Sequence, residues 1–364
     1  MCHASCKLFV GFVLLQDHNS LQPFHSMEMI MNQILHSFAV SRYEHMKDDL
    51  CQLFEDYPHK DFQLHTQRIE KSQMVAYLYQ QLETLQARGR LFSLSLQGRL
   101  KGLLCLVPKP WLSRQLGLNI WYVQHLVLAP EIEPWLVSRL LREAVASIKD
   151  EVDFVFARPA SSDILSVQGL ESIGFRNVGC ELVGNVRCQP LTKPLTHELQ
   201  SIQKTQLDDI CSIARMCHEH NHYIYDPRLS SEDAAALFEA LVRYQATSEH
   251  VEVLVATQEQ EAVGFLSFRQ NKSLSQFFGR PFACLDFIGV HPRAQGQGVG
   301  HALNLAALHQ LHEQGVKYAS VRTMSSNYLA LAALHKLGYR ITSSNFVLHW
   351  WPGISDVHHT RHDV

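Results

Sequence analysis

Between Val290 and Leu303 the chain reads VHPRAQGQGVGHAL: the end of an apolar strand, three glycines at alternate positions (Gly296, Gly298, Gly300), and at once an apolar helical repeat. Glycines let backbone approach a ligand closely and point consecutive N–H groups into one concavity. The helix start behind them adds partial positive charge, so a pyrophosphate is the expected guest. This is not a Walker loop, because no Gly-Lys-Ser/Thr is present. A dinucleotide-binding turn fails on context. Too little chain follows for an open parallel sheet, and the region about twenty residues on offers Lys317 to Arg322 rather than an Asp or Glu for a ribose.

Other clusters carry less. His218, His220 and His222 lie close together in HEHNH, but without HExxH spacing or a cysteine partner, and in a polar loop before an acidic helix. No metal is expected there. Nine cysteines, an odd number with no CxxC pair, mostly sit inside apolar runs such as LLCLV around Cys105. Reduced thiols and a reducing, cytoplasmic setting follow. The balance of 32 Lys+Arg against 35 Asp+Glu is nearly neutral and gives no nucleic-acid footprint. No run approaches the ~20 apolar residues of a membrane span. Leu8–Leu15 is short and lacks a cleavage site, so the first residues are set aside as a tail.

The elements that position the loop come twice. VEVLVATQEQEAVGFLSF (Val251–Phe268) alternates apolar residues around a polar turn, and LFSLSLQGRLKGLLCLV (Leu91–Val107) does the same. Gly264 and Gly102 fall at equivalent places, 162 residues apart, as do Val290-His291-Pro292 and Leu128-Ala129-Pro130. An amphipathic helix follows in each half. Ser325-Ser326-Asn327 then matches Ser161-Ser162-Asp163, and Gly338 matches Gly174, both at an offset of 164. The unit hairpin, strand, helix, strand, helix, strand is therefore written twice. The second copy opens with an amphipathic helix over Leu207–His218 and another from Ser231, which is placed to cap Glu232 and Asp233.

Strand, V-x-P-x-x-Q-G-x-G-x-G, helix, strand, Asn, helix ending in LGY resembles the Gcn5-related N-acetyltransferase (GNAT) superfamily, with Gln295, Gly298 and Gly300 meeting its signature. The resemblance runs from about Leu195 to Trp351. It implies an α/β fold with a mixed sheet, here two tandem GNAT folds, the first degenerate. It also implies acetyl-CoA as co-substrate. Ile288, Gly289 and Val290 would then offer backbone groups to the thioester and pantetheine. Amides of Gly296, Gln297, Gly298, Val299, Gly300 and His301 would hold the pyrophosphate, and Asn327 would contact the cofactor. The first copy has Glu133, Pro134, Leu136 and Ser138 where the loop has Gln295, Gly296, Gly298 and Gly300. A missing donor and a negative charge argue against phosphate there. The implied organisation is a tail (1–34), a degenerate copy (35–187), a linker (188–197), a catalytic copy (198–352) and a second tail (353–364).

A degenerate first half, the loop HNHYIYDPRLS (His220–Ser230) and the ending TSSNFVLHWW are loosely similar to a subgroup of the family, dTDP-fucosamine N-acetyltransferase and its relatives. That implies an amino sugar or similar small amine as acceptor, with Tyr223, Tyr225 and Asp226 beside it. The family's proton-donating tyrosine falls at Leu334, which cannot donate. His335, Tyr328 or solvent is left to protonate sulfur, with His335 taken as the candidate. Asp286, four residues before Val290, shares a face with Ile288 and Val290 unless a bulge intervenes. It is the candidate base, in competition with His218, His220 and His222. The expected activity is acetyl-CoA-dependent N-acetylation of a primary amine by a monomer or homodimer, with no metal, nucleic acid or membrane partner. A CoA-binding protein that has lost catalysis and a protein N-acetyltransferase are the alternatives.

Overall fold

The computed structural model describes residues 47–59 and 68–353, together with the backbone of a short strand, Leu35–Ser37. The expected tails lie outside the described residues, apart from Gly353. The first copy comprises β1 (Leu35–Ser37), α1 (Lys47–Asp56), α2 (Lys71–Gln86), β2 (Arg90–Leu96), β3 (Arg99–Pro108), α3 (Pro110–Leu116), β4 (Ile120–Leu128), α4 (Pro134–Ala146), β5 (Phe154–Ala157), α5 (Ile164–Ser172) and β6 (Arg176–Arg187). The second comprises β7 (Glu198–Ser201), α6 (Leu207–Met216), α7 (Ser231–Ala246), β8 (Glu252–Gln258), β9 (Glu261–Gln270), α8 (Lys272–Phe278), β10 (Ala283–Val290), α9 (Val299–Glu313), β11 (Tyr318–Met324), α10 (Tyr328–Lys336) and β12 (Arg340–Trp350).

Both hairpins turn on two residues with positive φ, Gln97-Gly98 and Glu259-Gln260, the conformation whose twist matches the flanking strands. The cap of α7 is Ser230, one residue earlier than expected. Its hydroxyl accepts from the Asp233 N–H at 2.9 Å, which makes Ser231 the first helical residue.

All the described strands form one sheet, in the order β1-β2-β3-β4-β5-β12-β6-β11-β10-β9-β8-β7. The repeat does not show how the halves join: each copy's last strand lies in the other's sheet. β6 pairs antiparallel with β11, β12 pairs antiparallel with β5, and the two exchanged strands pair with each other. The helices exchange contacts as well. Trp111 of α3 meets Tyr244 of α7 at 6.0 Å, and Tyr77 of α2 meets Phe277 of α8 at 5.2 Å.

Alternation along the strands sorts side chains to two faces. On β9, Leu266 and Phe268 pack under α9, while Phe265 packs under α6 and α7. On β3, Leu104 and Leu106 pack under α4, while Leu103 and Cys105 pack under α1 and α2. One face of the sheet thus carries α4 and α9, and the other carries α1, α2, α6 and α7. Two parallel pairs splay. β10 and β11 are bonded only from Ala283–Leu285 to Ala319–Val321, and β4 and β5 only from Ile120–Val123 to Phe154–Ala157.

Candidate active site

The glycine loop is built as a cradle. A short 3₁₀ turn, Pro292–Ala294, leads into Gly296 at φ +75° and Gly298 at φ +88°, and α9 begins at Val299. A side chain at either glycine would be strained in that left-handed region. Gln295 Nε2 donates to the Val290 carbonyl at 3.1 Å, and Gln297 Nε2 donates to the Arg293 carbonyl at 2.8 Å. These two side chains hold the loop from within. Ala302 is the residue whose N–H reaches the Gly298 carbonyl, at 3.0 Å. The N–H groups of Val299, Gly300 and His301 precede it and are left as the orphan donors of a helix start. A Cβ on Gly300 would meet Val290 and Ile288 side-chain carbons at 3.5 and 3.7 Å, so the loop abuts the end of β10.

On β10, the His291 N–H donates to the Val263 carbonyl across the hairpin at 2.8 Å. By alternation Gly289 also turns its polar backbone toward β9, and Ile288 and Val290 turn theirs toward the open wedge. The Val290 carbonyl is engaged by Gln295. Gly289 supplies room instead: a Cβ there would stand 2.7 Å from the Phe265 ring and 3.0 Å from Ile213. Asn327 caps α10, its Oδ1 accepting from the Ala330 N–H at 3.2 Å.

A bulge does intervene on β10. Leu285 stands opposite Phe268 and Phe287 opposite Ser267, leaving Asp286 as the extra residue. Asp286 therefore parts from Ile288 and Val290, which pack with the α9 core. Its Oδ2 accepts from Arg269 Nε at 2.7 Å, and its Oδ1 accepts from the Cys284 thiol at 3.2 Å. It lines a cavity of about 820 Å³ on the face opposite α9. Leu285 and Val321, the last bonded pair before the wedge opens, line it too. On α10, Leu334 is buried among Leu337, Tyr339 and Leu303, while His335 is exposed.

The loop expected beside the acceptor lies apart from this cavity. Tyr223, Tyr225 and Asp226 are not on the cavity wall. Asp226 is buried and ends a hydrogen-bonded chain that joins the copies. Arg158 only donates and a carboxylate only accepts, which fixes both imidazoles between them. Arg158 Nη2 donates to His222 Nε2 at 3.0 Å, His222 Nδ1 to His349 Nε2 at 2.8 Å, and His349 Nδ1 to Asp226 Oδ2 at 2.8 Å. Trp351 Nε1 also donates to that oxygen, at 2.8 Å.

Burial, then the charge of Arg158, pushes His222 well below the usual histidine range. Burial also lowers His349, against the upward pull of Asp226. For Asp226 burial pushes upward, but the hydrogen bonds from His349, the Arg228 N–H and Trp351 outweigh it and hold the carboxyl below its ordinary value. Tyr223 lies against His222, and burial pushes its phenol up to about 12. Tyr225 is partly exposed and bonds Ser326 Oγ at 2.8 Å, just before α10.

The sequence reading missed Arg158, Arg269, Glu181, Arg322 and His349. Glu181 Oε2 pairs with Arg158 at 3.1 Å and faces Arg322 Nε at 3.7 Å. A signal was present, since Arg158 and Arg322 stand 164 residues apart, the offset of the later repeat anchors. His222 was singled out for its neighbours, but its partners come from the first copy and the last strand. Among the described residues no cluster suits a metal ion, and the seven described cysteines are unpaired. Burial pushes the Cys105, Cys188 and Cys284 thiols up to about 12.

The profile of the acetyltransferase (GNAT) family matches residues 207–339, the span holding the cradle, the bulge and the wedge. That span matches a GNAT acetyltransferase domain. The spore coat polysaccharide biosynthesis protein SpsD of Bacillus subtilis (strain 168) is 26% identical over 270 residues, covering 72% of this chain and 89% of that protein. A tandem GNAT protein from the clavulanic acid biosynthesis pathway shares the fold with a TM-score of 0.50 at 14% identity, over 88% of this chain and 99% of its own. A GCN5-related N-acetyltransferase from Sphaerobacter thermophilus does so with a TM-score of 0.55 at 14% identity, over 88% and 97%. The fold is that of two GNAT units in tandem, and the chain is an N-acetyltransferase. No described helix is long and apolar enough to cross a membrane.

Proposed function

We propose that the chain transfers an acetyl group from acetyl-CoA to the primary amine of a small molecule, with amino sugars as the favoured class. The observation that carries this reading is the alignment of three features at one wedge: the cradle of Gly296–His301, the splay of β10 from β11, and the Asp286 carboxylate on the cavity side of that splay. The naming of SpsD for polysaccharide biosynthesis supports a sugar acceptor. The seven described cysteines form no disulfide, which suits a cytoplasmic enzyme.

The residues present fit acetyl-CoA. The first-turn N–H groups of α9 would take the pyrophosphate, Ile288 and Val290 would take the pantetheine arm along the open edge of β10, and Asn327 would border it. Bound acetyl-CoA supplies an acyl group activated as a thioester. Asp286 would draw the proton from the acceptor ammonium through water, since the bulge aims it into the cavity where an amine enters. Leu334 has no proton to give. His335, exposed on α10, is the candidate acid, with solvent able to serve a thiol whose ordinary pKa is near ~8.5.

The test is thiol release from acetyl-CoA against a panel of amino sugars, aliphatic amines and peptides. Turnover confined to amino sugars is the expected outcome. Tight CoA binding without turnover on any amine overturns the catalytic reading, and preference for peptide N-termini overturns the small-amine reading.

A further inference from the structure

The cavity beside Asp286 is walled by both copies. Tyr77, Gln81 and Arg158 come from the first, and Arg269, Arg322 and Asn345 from the second. Its charged lining is three arginines and one carboxylate, Asp286. Arg269 is neutralised by Asp286 at 2.7 Å. Arg158 is neutralised by buried Glu181 at 3.1 Å. Among the described residues Arg322 reaches only the same Glu181 oxygen, at 3.7 Å, and its side chain is 48% exposed. Three guanidiniums thus share two carboxylates, and the surplus positive charge stands at Arg322. Hydroxyls and amides of Ser161, Ser320, Ser343, Ser344 and Asn345 fill much of the remaining wall.

Position gives the surplus charge a use. Leu285 and Val321 are the last paired residues of the splaying strands. Asp286 and Arg322 follow them directly and so flank the mouth of the wedge at one level, both on the cavity wall. An amine drawn to Asp286 for reaction shares that cavity with the Arg322 guanidinium. Guanidinium is the side chain best shaped for bidentate binding of phosphate or carboxylate.

We infer that the acceptor is an anionic amine: a hydroxylated amino compound whose phosphoryl or carboxylate group is bound by Arg322 at the seam of the two copies. The first copy then forms part of the acceptor site, through Arg158, α2 and the serines after β5. This rests on the acetyl-transfer reading for the identity of the reaction, but not for the anion site itself.

The experiment has two arms on the full chain. In the first, kcat/KM is measured for glucosamine, glucosamine 1-phosphate and muramic acid. The wild type is expected to favour an anionic amine at least tenfold over glucosamine, and Arg322→Gln to reduce that ratio to near one, with Arg322→Lys restoring part of it. Advantage for glucosamine 1-phosphate assigns a phosphoryl group, and advantage for muramic acid a carboxylate. In the second arm, calorimetry without any cofactor follows inorganic phosphate, which should bind R322Q at least tenfold more weakly than wild type.

Thermal melts check that R322Q is folded. A selectivity ratio unmoved by R322Q overturns the inference. So does phosphate binding that Gly298→Glu abolishes and R322Q does not, since the anion would then belong to the glycine loop. If no amine turns over while R322Q weakens phosphate binding, the acetyl-transfer reading fails and the anion site stands.

Discussion

The same unit appears twice in this chain, once open and once shut, and the difference lies in a few residues around one helix start. In the first copy α4 begins at Pro134, equivalent to Gly296, three residues earlier than α9 begins in its own copy. An extra turn of helix therefore occupies the place of the cradle. Behind it α4 and α5 are packed hard together. A Cβ on Gly169 would stand 2.7 Å from a Val137 methyl, and Ser138 and Ser172 hydroxyls bond at 2.8 Å. In the second copy α9 and α10 approach one another less closely than α4 and α5 do. Leu334 is the buried residue of α10, while Tyr328 and Leu329 are 76% and 78% exposed. The slot a cofactor arm would thread is filled by side chains in one copy and uncovered in the other.

The bulge separates frame from chemistry just as clearly. Both copies have it at equivalent positions, because Cys105 faces His125 and Leu106 faces Val123, leaving Gln124 extra where the second copy has Asp286. The backbone device is kept and the carboxylate is replaced by an amide. The kink belongs to the frame of both copies, whereas a carboxylate stands on it in the second copy alone.

The comparison breaks most easily at the cradle. Gly298→Glu places a strained side chain and a negative charge among the first-turn N–H groups, and is expected to weaken CoA binding by at least 100-fold in calorimetry while thermal melts stay near wild type. The wild type is expected to bind one CoA per chain. A stoichiometry near two means that the first copy's slot is not shut.

Next in size is the carboxylate. Asp286→Asn gives the second copy the chemistry of Gln124 on the same bulge. Turnover should fall by about 10²-fold or more, since a well-placed general base is worth roughly 10²–10⁴-fold, with CoA affinity unchanged. Retained turnover assigns the base elsewhere.

The legible part of the fold was what repeats. Hairpin turns, strand periodicity and glycine spacing are local, and they marked both copies and the cradle. The strand exchange was not legible, because β6 and β12 carry the same apolar pattern whichever neighbour they pair with. Asp286 was found by counting, but the bulge that turns it from Ile288 depends on Phe268 and Ser267 across the ladder. Tyr223 and Asp226 were noticed for being polar in an aromatic loop. Their partners, Arg158 and His349, are far away in sequence, so a packed seam and an acceptor pocket read alike.

That seam offers a test by pH. His222 and His349 lie below the ordinary histidine value in the fold, and burial pushes His125 down to about 4. Unfolded histidines take up protons near pH ~6.5. The stability these neutral imidazoles contribute is therefore complete above that pH. It is lost as pH falls from 6.5 toward 4, where the unfolded chain binds protons that the fold refuses. Asp226, held below its usual value, adds a further loss below about pH 4. The melting temperature should drop by several degrees between pH 7.5 and 5, in one transition, since β6, β12 and the Arg158–Asp226 chain bind the copies together. Two separated transitions would show that the copies unfold apart and that the seam is weak.

The smallest effect is expected at α10. Leu334 has the first copy's Leu170 as its equivalent, and both are buried in their cores, so leucine there follows the packing pattern of the repeat. Leu334→Tyr would force a larger ring into the space beside Leu337 and Tyr339, and overpacking of that kind costs about 1–3 kcal/mol. His335 is exposed and free of that constraint. If it protonates the departing sulfur, His335→Ala should lower kcat with CoA affinity unchanged. Competition from water should hold the loss to roughly tenfold or less, under the 10²–10⁴ of a well-placed acid. An unchanged kcat across pH 6–9 would leave water as the proton source. Asp286 would then be the one side chain of the open copy left with a proposed part in proton transfer.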